Sequence, residues 1–210
     1  SGQILVITYP LVGNYGVPQI TEENGMLRFF ESNRIHIRGL VISDYSFEYS
    51  HWNAVESLGK WLADNDVPAI CGVDTRQITK IIRERGVMLG KWLVEGAPEQ
   101  EQFVDPTRES LVAQVSTKQA QTYGNGRHRI VLVDCGCKYN IIRCLCDRDA
   151  TVIRVPWDYD FTQLEYDGVM LSNGPGDPQQ CRATVANIKK AIALGKPIFG
   201  ICLGNQLLSI

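Results

Sequence analysis

Apolar and polar positions follow two rhythms along this chain, and the change from one to the other divides it. In the first half the apolar runs are short. Ile4 to Tyr9 is a β-rich run ended by Pro10 and followed by the turn-forming Gly13-Asn14-Tyr15-Gly16. Spacing predicts a short helix over Gly25 to Asn33 with Leu27, Phe29 and Phe30 inward, then a strand over Ile35 to Ser43. A further helix is predicted over Asn53 to Asp64, with Val55, Leu58 and Leu62 at helical spacing. The clearest helix of this half starts at Asp74-Thr75, either of which can cap it. It carries Ile78, Ile81 and Ile82 at i, i+3 and i+4, and stops at Gly86 after Arg83 and Arg85, charges that suit a helix C-terminus. Val87 to Val94 predicts a strand.

From Glu95 to Arg127 the period fades. Pro98, Glu99 to Gln102, Pro106 and the polar Ser116 to Gln121 lead to Gly124-Asn125-Gly126, a connecting region with a boundary near Gly126. Beyond it, strands and helices alternate. Strands are predicted over Arg129 to Asp134, Thr151 to Val155, Gly168 to Ser172 and Ile198 to Ile201. Between them fall helices over Tyr139 to Arg148 and over Ala183 to Leu194, the latter with Val185, Ile188 and Ile192 inward. Near-continuous apolar strands separated by helices imply a parallel sheet covered on both faces. Binding sites of such sheets lie at the carboxyl ends of the strands. Asp134-Cys135-Gly136, Asn173 to Asp177 and Cys202 all follow strands, so they gather at one edge. The expected organisation is a mixed α/β domain over residues 1–117, a linker over 118–128 and a parallel-sheet α/β domain over 129–210.

Composition narrows the class. The chain has 210 residues, 44% of them hydrophobic, enough to bury a sizeable core. A net charge of −2 with scattered Lys and Arg leaves no footprint for nucleic acid. No run approaches the length of a membrane span. The chain opens without Met and without a leader, which reads as a piece of something longer. Seven cysteines, an odd number in a chain with an ordinary core, fit a reducing compartment and hence the cytoplasm. Cys135-x-Cys137 and Cys144-x-Cys146 are too closely spaced for the usual zinc pair, so free thiols are the simpler reading and no metal is expected. His36 and His51 have no second ligand or carboxylate at motif spacing and are read as structural. Helix capping explains Asp74 and Thr75 better than catalysis does.

Cys202 carries the candidate chemistry. It sits between an apolar strand and a helix, flanked by Gly200 and Gly204. A cysteine on a sharp strand-to-helix turn is presented at the edge of the sheet, and the positive end of a helix dipole favours a thiolate there. Thiolates attack acyl carbons, which points to an amide or thioester substrate. The tetrahedral intermediate needs N–H donors. Leu203 N–H adjoins the nucleophile, and Gly174 lies in a loop whose glycines let backbone approach closely. Taken alone, Asn173-Gly174-Pro175-Gly176-Asp177 is a tight turn; with Cys202 on a neighbouring strand it becomes part of a site. The usual base would be His. His128 precedes its strand and so lies at the amino edge, about 15–20 Å away by strand rise. The base is therefore expected beyond Ile210, and the 210-residue chain by itself is expected to be inactive.

Two motifs name a class. Gly200-Ile201-Cys202-Leu203-Gly204-Asn205-Gln206-Leu207-Leu208 resembles the nucleophile elbow of class I (triad) glutamine amidotransferases, and Ser172-Asn173-Gly174-Pro175-Gly176-Asp177-Pro178 resembles their oxyanion strand. Leu5 to Gly16, Gly72-Val73-Asp74-Thr75-Arg76 and Asp134 to Asn140 are similar to the small subunit, or glutaminase region, of glutamine-dependent carbamoyl-phosphate synthase. Arg154 to Asp158 and Ile142 to Cys146 look more like the form fused into the eukaryotic multifunctional pyrimidine-synthesis protein. The resemblance implies a flavodoxin-like amidotransferase domain, truncated at its C-terminus. It implies that Cys202 attacks the glutamine side-chain amide, that Leu203 and Gly174 supply oxyanion N–H groups, and that Gly176 and Gln206 hold the glutamine. The ammonia released would pass to a synthetase partner, fused or separate, which binds ATP and Mg; no cofactor is expected in this chain. The family's His and Glu partners have no counterpart here. Its glutamine-binding Ser is also missing, since Ser1 falls slightly too late. Asn205 stands where the subfamily's elbow commonly has His, a residue that is not the triad base. Another class I amidotransferase, or a non-catalytic module of the same fold, are the alternatives. Ammonia-dependent relatives of the second kind have lost the nucleophile.

Overall fold

The computed structural model describes residues 2–96, 103 and 105–210. Ser1 and the 97–102 stretch of the connecting region lie outside the described residues. In chain order the elements are β1 (Ile4–Val6), β2 (Val17–Pro18), β3 (Glu22–Glu23), β4 (Met26–Leu27), β5 (Gly39–Val41), β6 (Ala54–Glu56), α1 (Leu58–Asp64), β7 (Ala69–Ile70) and α2 (Thr75–Arg85). There follow α3 (Leu111–Val115), β8 (Gln121–Tyr123), β9 (His128–Asp134), α4 (Tyr139–Cys146), β10 (Ala150–Pro156), β11 (Gly168–Leu171), α5 (Arg182–Ala193), β12 (Ile198–Gly200) and α6 (Leu203–Leu208). They pack as two compact units, one made of residues 1–20 and 34–106, the other of residues 21–33 and 107–210.

The first unit is built on a small parallel sheet in the order β1-β5-β7, with Leu40, Ile42, Leu62 and Val67 at its core. Asp74 caps α2 by accepting from the Gln77 N–H at 2.9 Å, and Gly86 leaves the helix at φ 81°, as the sequence implies. Two expectations for this unit fail. Residues 54–56 form a strand paired antiparallel with β2, and the helix begins only at Leu58, because Ser57 takes the cap and accepts from Lys60 N–H. Val87 to Val94 forms no strand. Val87, Leu93 and Val94 are exposed, and among the described residues no strand pairs with this segment.

The second unit holds a five-stranded sheet in the order β12-β11-β9-β10-β8, parallel except for β8. Its register explains the two-sided core. Val131, Val133, Val155, Val169 and Leu171 face α5 and α6, together with Phe161. Leu132 and Val152 face the other way, onto Tyr139 and Ile142 of α4. Every second residue therefore serves a different layer, which is why these strands read as unbroken apolar runs. In α5, Ile188 and Ala191 are buried, whereas Ile192, expected inward, is exposed. The connecting region is less bare than its composition implies: Leu111 and Val112 of α3 are buried, and β8 joins the sheet. No helix among the described residues is long and apolar enough to cross a membrane.

The helix expected over Gly25 to Asn33 is instead a hairpin, β3-β4, turned at Asn24-Gly25. Both turn residues have positive φ, 52° and 75°, the conformation for which Asn-Gly is suited. The segment after it clasps α4. Lys138, at the N-cap, makes no side-chain cap; the free N–H groups of Tyr139 and Asn140 go to the Glu31 carbonyl (3.1 Å) and carboxylate (2.8 Å). Arg143 in turn donates to the carbonyls of Leu27 and Phe30 and pairs with Glu31.

Urea denaturation should separate core from surface contributions. Phe161→Ala, at a fully buried ring, is expected to cost about 3–5 kcal/mol, and Asp74→Ala, which removes a cap, about 1 kcal/mol. Equal losses would contradict the packing described.

Candidate active site

The carboxyl edge of the second unit is formed by the ends of β9, β11 and β12. After β12 the chain turns sharply. Cys202 has φ 52° and ψ −110°, a left-handed backbone that costs a non-glycine residue about 1–3 kcal/mol. Ile201 N–H still bonds to Leu171 O at 3.0 Å, so the strand is held to its last residue. Helix α6 then starts at once, with Gly204 N–H on Ile201 O (2.9 Å) and Gln206 N–H on Cys202 O (3.1 Å). Cys202 is exposed, while its neighbours Leu203 and Gly204 are buried.

The flanking glycines are there for space. A β-carbon at Gly200 would stand 2.5 Å from the Gly204 carbonyl carbon and 2.6 Å from Asn205 N; one at Gly204 would overlap the Leu171 carbonyl and come within 2.7 Å of its β-carbon. The first turn of α6 thus lies directly on the ends of β11 and β12.

The loop after β11 follows the same rule. Gly174 has no room for a side chain, since a β-carbon would overlap the Cys135 carbonyl and sit 2.9 Å from Leu203 Cδ2. The structure therefore packs Gly174 against the side chain of Leu203, the residue that follows Cys202. Gly176, at φ 89°, packs over Leu111, and Gln206 presents an exposed side chain on α6. The loop is tied to the end of β9 by Ser172. Its Oγ accepts from Cys135 N–H (2.9 Å) and donates to Asn173 O (2.7 Å). Lys138 N–H reaches Asn173 Oδ1 at 3.4 Å.

Sequence reasoning missed the ion pair under this edge. Asp134 is fully buried. One carboxylate oxygen accepts from Gly136 N–H (2.9 Å) and Cys137 N–H (2.7 Å). The other accepts from Thr117 N–H (2.7 Å) and from Arg154 Nε (2.9 Å) and Nη2 (2.6 Å). Burial works to lower the Arg154 pKa, but the Asp134 carboxylate and Tyr123 together outweigh it and raise it, so the guanidinium stays charged. A lone Arg inside the buried run Val152-Ile153-Arg154-Val155 was the available signal, because such a charge requires a partner.

The other thiols differ from Cys202. Cys135 and Cys181 are buried in the core beneath α5, and burial pushes the Cys135 thiol well above its ordinary range. Burial likewise pushes Cys137 up to about 12. Among the described residues no group of three or more His, Cys, Asp or Glu side chains could hold a metal ion. His128, the single histidine of this unit, opens β9 at the opposite edge of the sheet, about 20 Å from its carboxyl end.

A parallel sheet with a strained, glycine-flanked cysteine at a strand-to-helix turn and a glycine loop against it is an arrangement that presents a nucleophile. Residues 131–210 match the family model for glutamine amidotransferase class-I, and residues 1–92 match that for the carbamoyl-phosphate synthase small chain, CPSase domain. The chain belongs to the carbamoyl-phosphate synthase small-chain family. It is 50% identical to the multifunctional protein CAD of Squalus acanthias, over 99% of this chain and 10% of that protein. It is 46% identical to the carbamoyl phosphate synthase arginine-specific small chain of Saccharomyces cerevisiae, over all of this chain and 54% of that one. It is 47% identical to the human carbamoyl-phosphate synthase [ammonia], mitochondrial, over 99% of this chain and 14% of that protein. The chain thus spans between a tenth and about half of the length of these relatives.

Thiol labelling of the native chain should follow this burial. Cys71, Cys144 and Cys202 are expected to react quickly with an aromatic disulfide reagent, and Cys135, Cys137 and Cys181 only on unfolding. The raised Cys137 pKa also sets a pH dependence. The folded thiol stays protonated where an unfolded one, with its ordinary value of 9.0, ionises. Its contribution to stability is present below about pH 9 and lost as pH rises towards 12. Cys137→Ser should flatten that alkaline decline in a denaturation series; an unchanged slope would contradict the assignment.

Proposed function

We propose that the protein is the glutaminase part of a glutamine-dependent carbamoyl-phosphate synthase. Cys202 attacks the side-chain amide carbon of glutamine, forming a C–S bond. The tetrahedral oxyanion is held by the N–H groups of Leu203 and Gly174, and collapse, with the proton lost by the Cys202 thiol delivered to the departing nitrogen, expels ammonia and leaves a glutamyl thioester. Water then hydrolyses the thioester to glutamate and returns the thiol. Gly176 and Gln206 hold the glutamine. Ammonia passes to an ATP-dependent synthetase, whose ATP and Mg sites belong to that part, for carbamoyl phosphate and de novo pyrimidine synthesis in the cytoplasm. The observation that carries this reading is Cys202 itself, exposed at φ 52° between two glycines and next to the Gly174 loop. Backbone strain of this kind clusters at active sites.

The similarity to synthases named for ammonia favours one second reading, a module of the same fold that does not use glutamine. Cys202→Ala in the full-length protein separates the two. Glutamine-dependent carbamoyl phosphate synthesis is expected to fall by at least about 10³-fold, by analogy with loss of a nucleophile elsewhere, while synthesis from added ammonium is retained. Undiminished glutamine use in the variant would refute the nucleophile, and absence of glutamine use in the unmodified protein would establish the second reading.

A further inference from the structure

Gly174 is placed by its neighbours. Its Cα lies against the Cys135 carbonyl, and Gly136, at φ 123°, brings its own backbone close behind: a β-carbon there would meet Pro175 Cδ at 3.0 Å and Gly174 Cα at 3.3 Å. The Cys135-Gly136 backbone is the rear wall of the loop. What fixes that wall is Asp134, whose Oδ1 gathers the Gly136 and Cys137 N–H groups into a turn. What fixes Asp134 is Arg154. It sits opposite Leu132 in the β9–β10 register, two positions short of the strand end, and its side chain runs along the sheet to place two N–H donors on Oδ2. With Oδ2 taken up by Arg154 and Thr117, Oδ1 is left aimed at the turn.

We infer that Arg154 and Asp134 are positioning residues for the reaction at Cys202: the buried pair sets the turn that holds the Gly174 N–H at the oxyanion. This rests on the glutaminase reading above. Neither residue touches glutamine. Both act through the Cys135-Gly136 backbone, and the interaction they set matters most once negative charge has formed on the oxygen. Misplacement of a donor by a fraction of an ångström therefore lowers turnover far more than it lowers substrate binding.

The test uses the full-length enzyme with Arg154→Met and Arg154→Lys, and Cys202→Ala as control. Arg154→Met removes the charge and both donors at similar length. It is expected to lower kcat for glutamine hydrolysis by about ten- to a hundredfold, with KM for glutamine changed by less than about threefold and synthesis from ammonium unchanged. Inhibition by the γ-aldehyde analogue of glutamine, whose thiol adduct carries its oxygen in the same place, should weaken by the factor lost in kcat/KM. Arg154→Lys, which keeps the charge but not the two-donor geometry, should fall between, and it carries the test if Arg154→Met does not fold. Unchanged kcat and aldehyde inhibition in the folded Arg154 variants, beside an inactive Cys202→Ala, would overturn the positioning role and leave the glutaminase intact. Parallel loss of ammonium-dependent synthesis would reduce Arg154 to a structural residue. Glutamine use surviving in Cys202→Ala would remove the reading on which the inference rests.

Discussion

The carboxyl edge of the second unit depends on contact between backbones. At Gly200, Gly204 and Gly174 the nearest atoms of the surrounding chain stand where a β-carbon would have to go. Removing three side chains lets a helix, two strand ends and a loop converge on one point, and Cys202 stands exposed at that point. A layer of side chains between α6 and the sheet would set the helix back by several ångströms and leave Cys202 in an ordinary turn. The strain at Cys202 persists because the parts around it are held from both sides: Ile201 by the ladder to Leu171, and the following residues by the first hydrogen bonds of α6.

Polar bonds then tune what the glycines permit. Ser172 straps the loop to β9 from above, and Asp134 braces the same turn from within the sheet. The two devices differ in kind. A hydroxyl strap is local and neutral, whereas a buried carboxylate holds its shape only while a countercharge faces it. Placing Arg154 on an inner strand ties the turn after β9 to the integrity of the sheet.

Much of the second unit was legible in the sequence because its strands are mostly apolar runs, three of them ending at Asp134, Pro156 and Gly200, and such runs have few alternatives. The elbow was legible too, since a cysteine between two glycines at a strand-to-helix boundary has a specific geometry. The first unit was less so. Its strands are two or three residues long, too short to show a period, so Ala54 to Glu56 merged into the following helix. In the 21–33 segment, apolar residues at helical spacing outweighed Asn24-Gly25, although that pair is the stronger local signal. Val87 to Val94 has strand composition but no partner strand among the described residues, and composition alone does not make a ladder. Asp134 was legible only as a strand-ending residue at the carboxyl edge, because its bonds to Thr117 and Arg154 follow no local pattern.

The clasp on α4 has a consequence for how the polypeptide is made. Glu31 waits for Asn140 and Arg143, 109 and 112 residues later, before its carboxylate has its partners. On the ribosome the β3-β4 hairpin and the Glu31 that follows it therefore emerge long before α4, the helix that Glu31 caps. Closing so long a span costs only slowly growing entropy, but it delays the step. The amidotransferase unit cannot finish folding as a late, self-contained piece; it must retrieve a segment synthesised near the start.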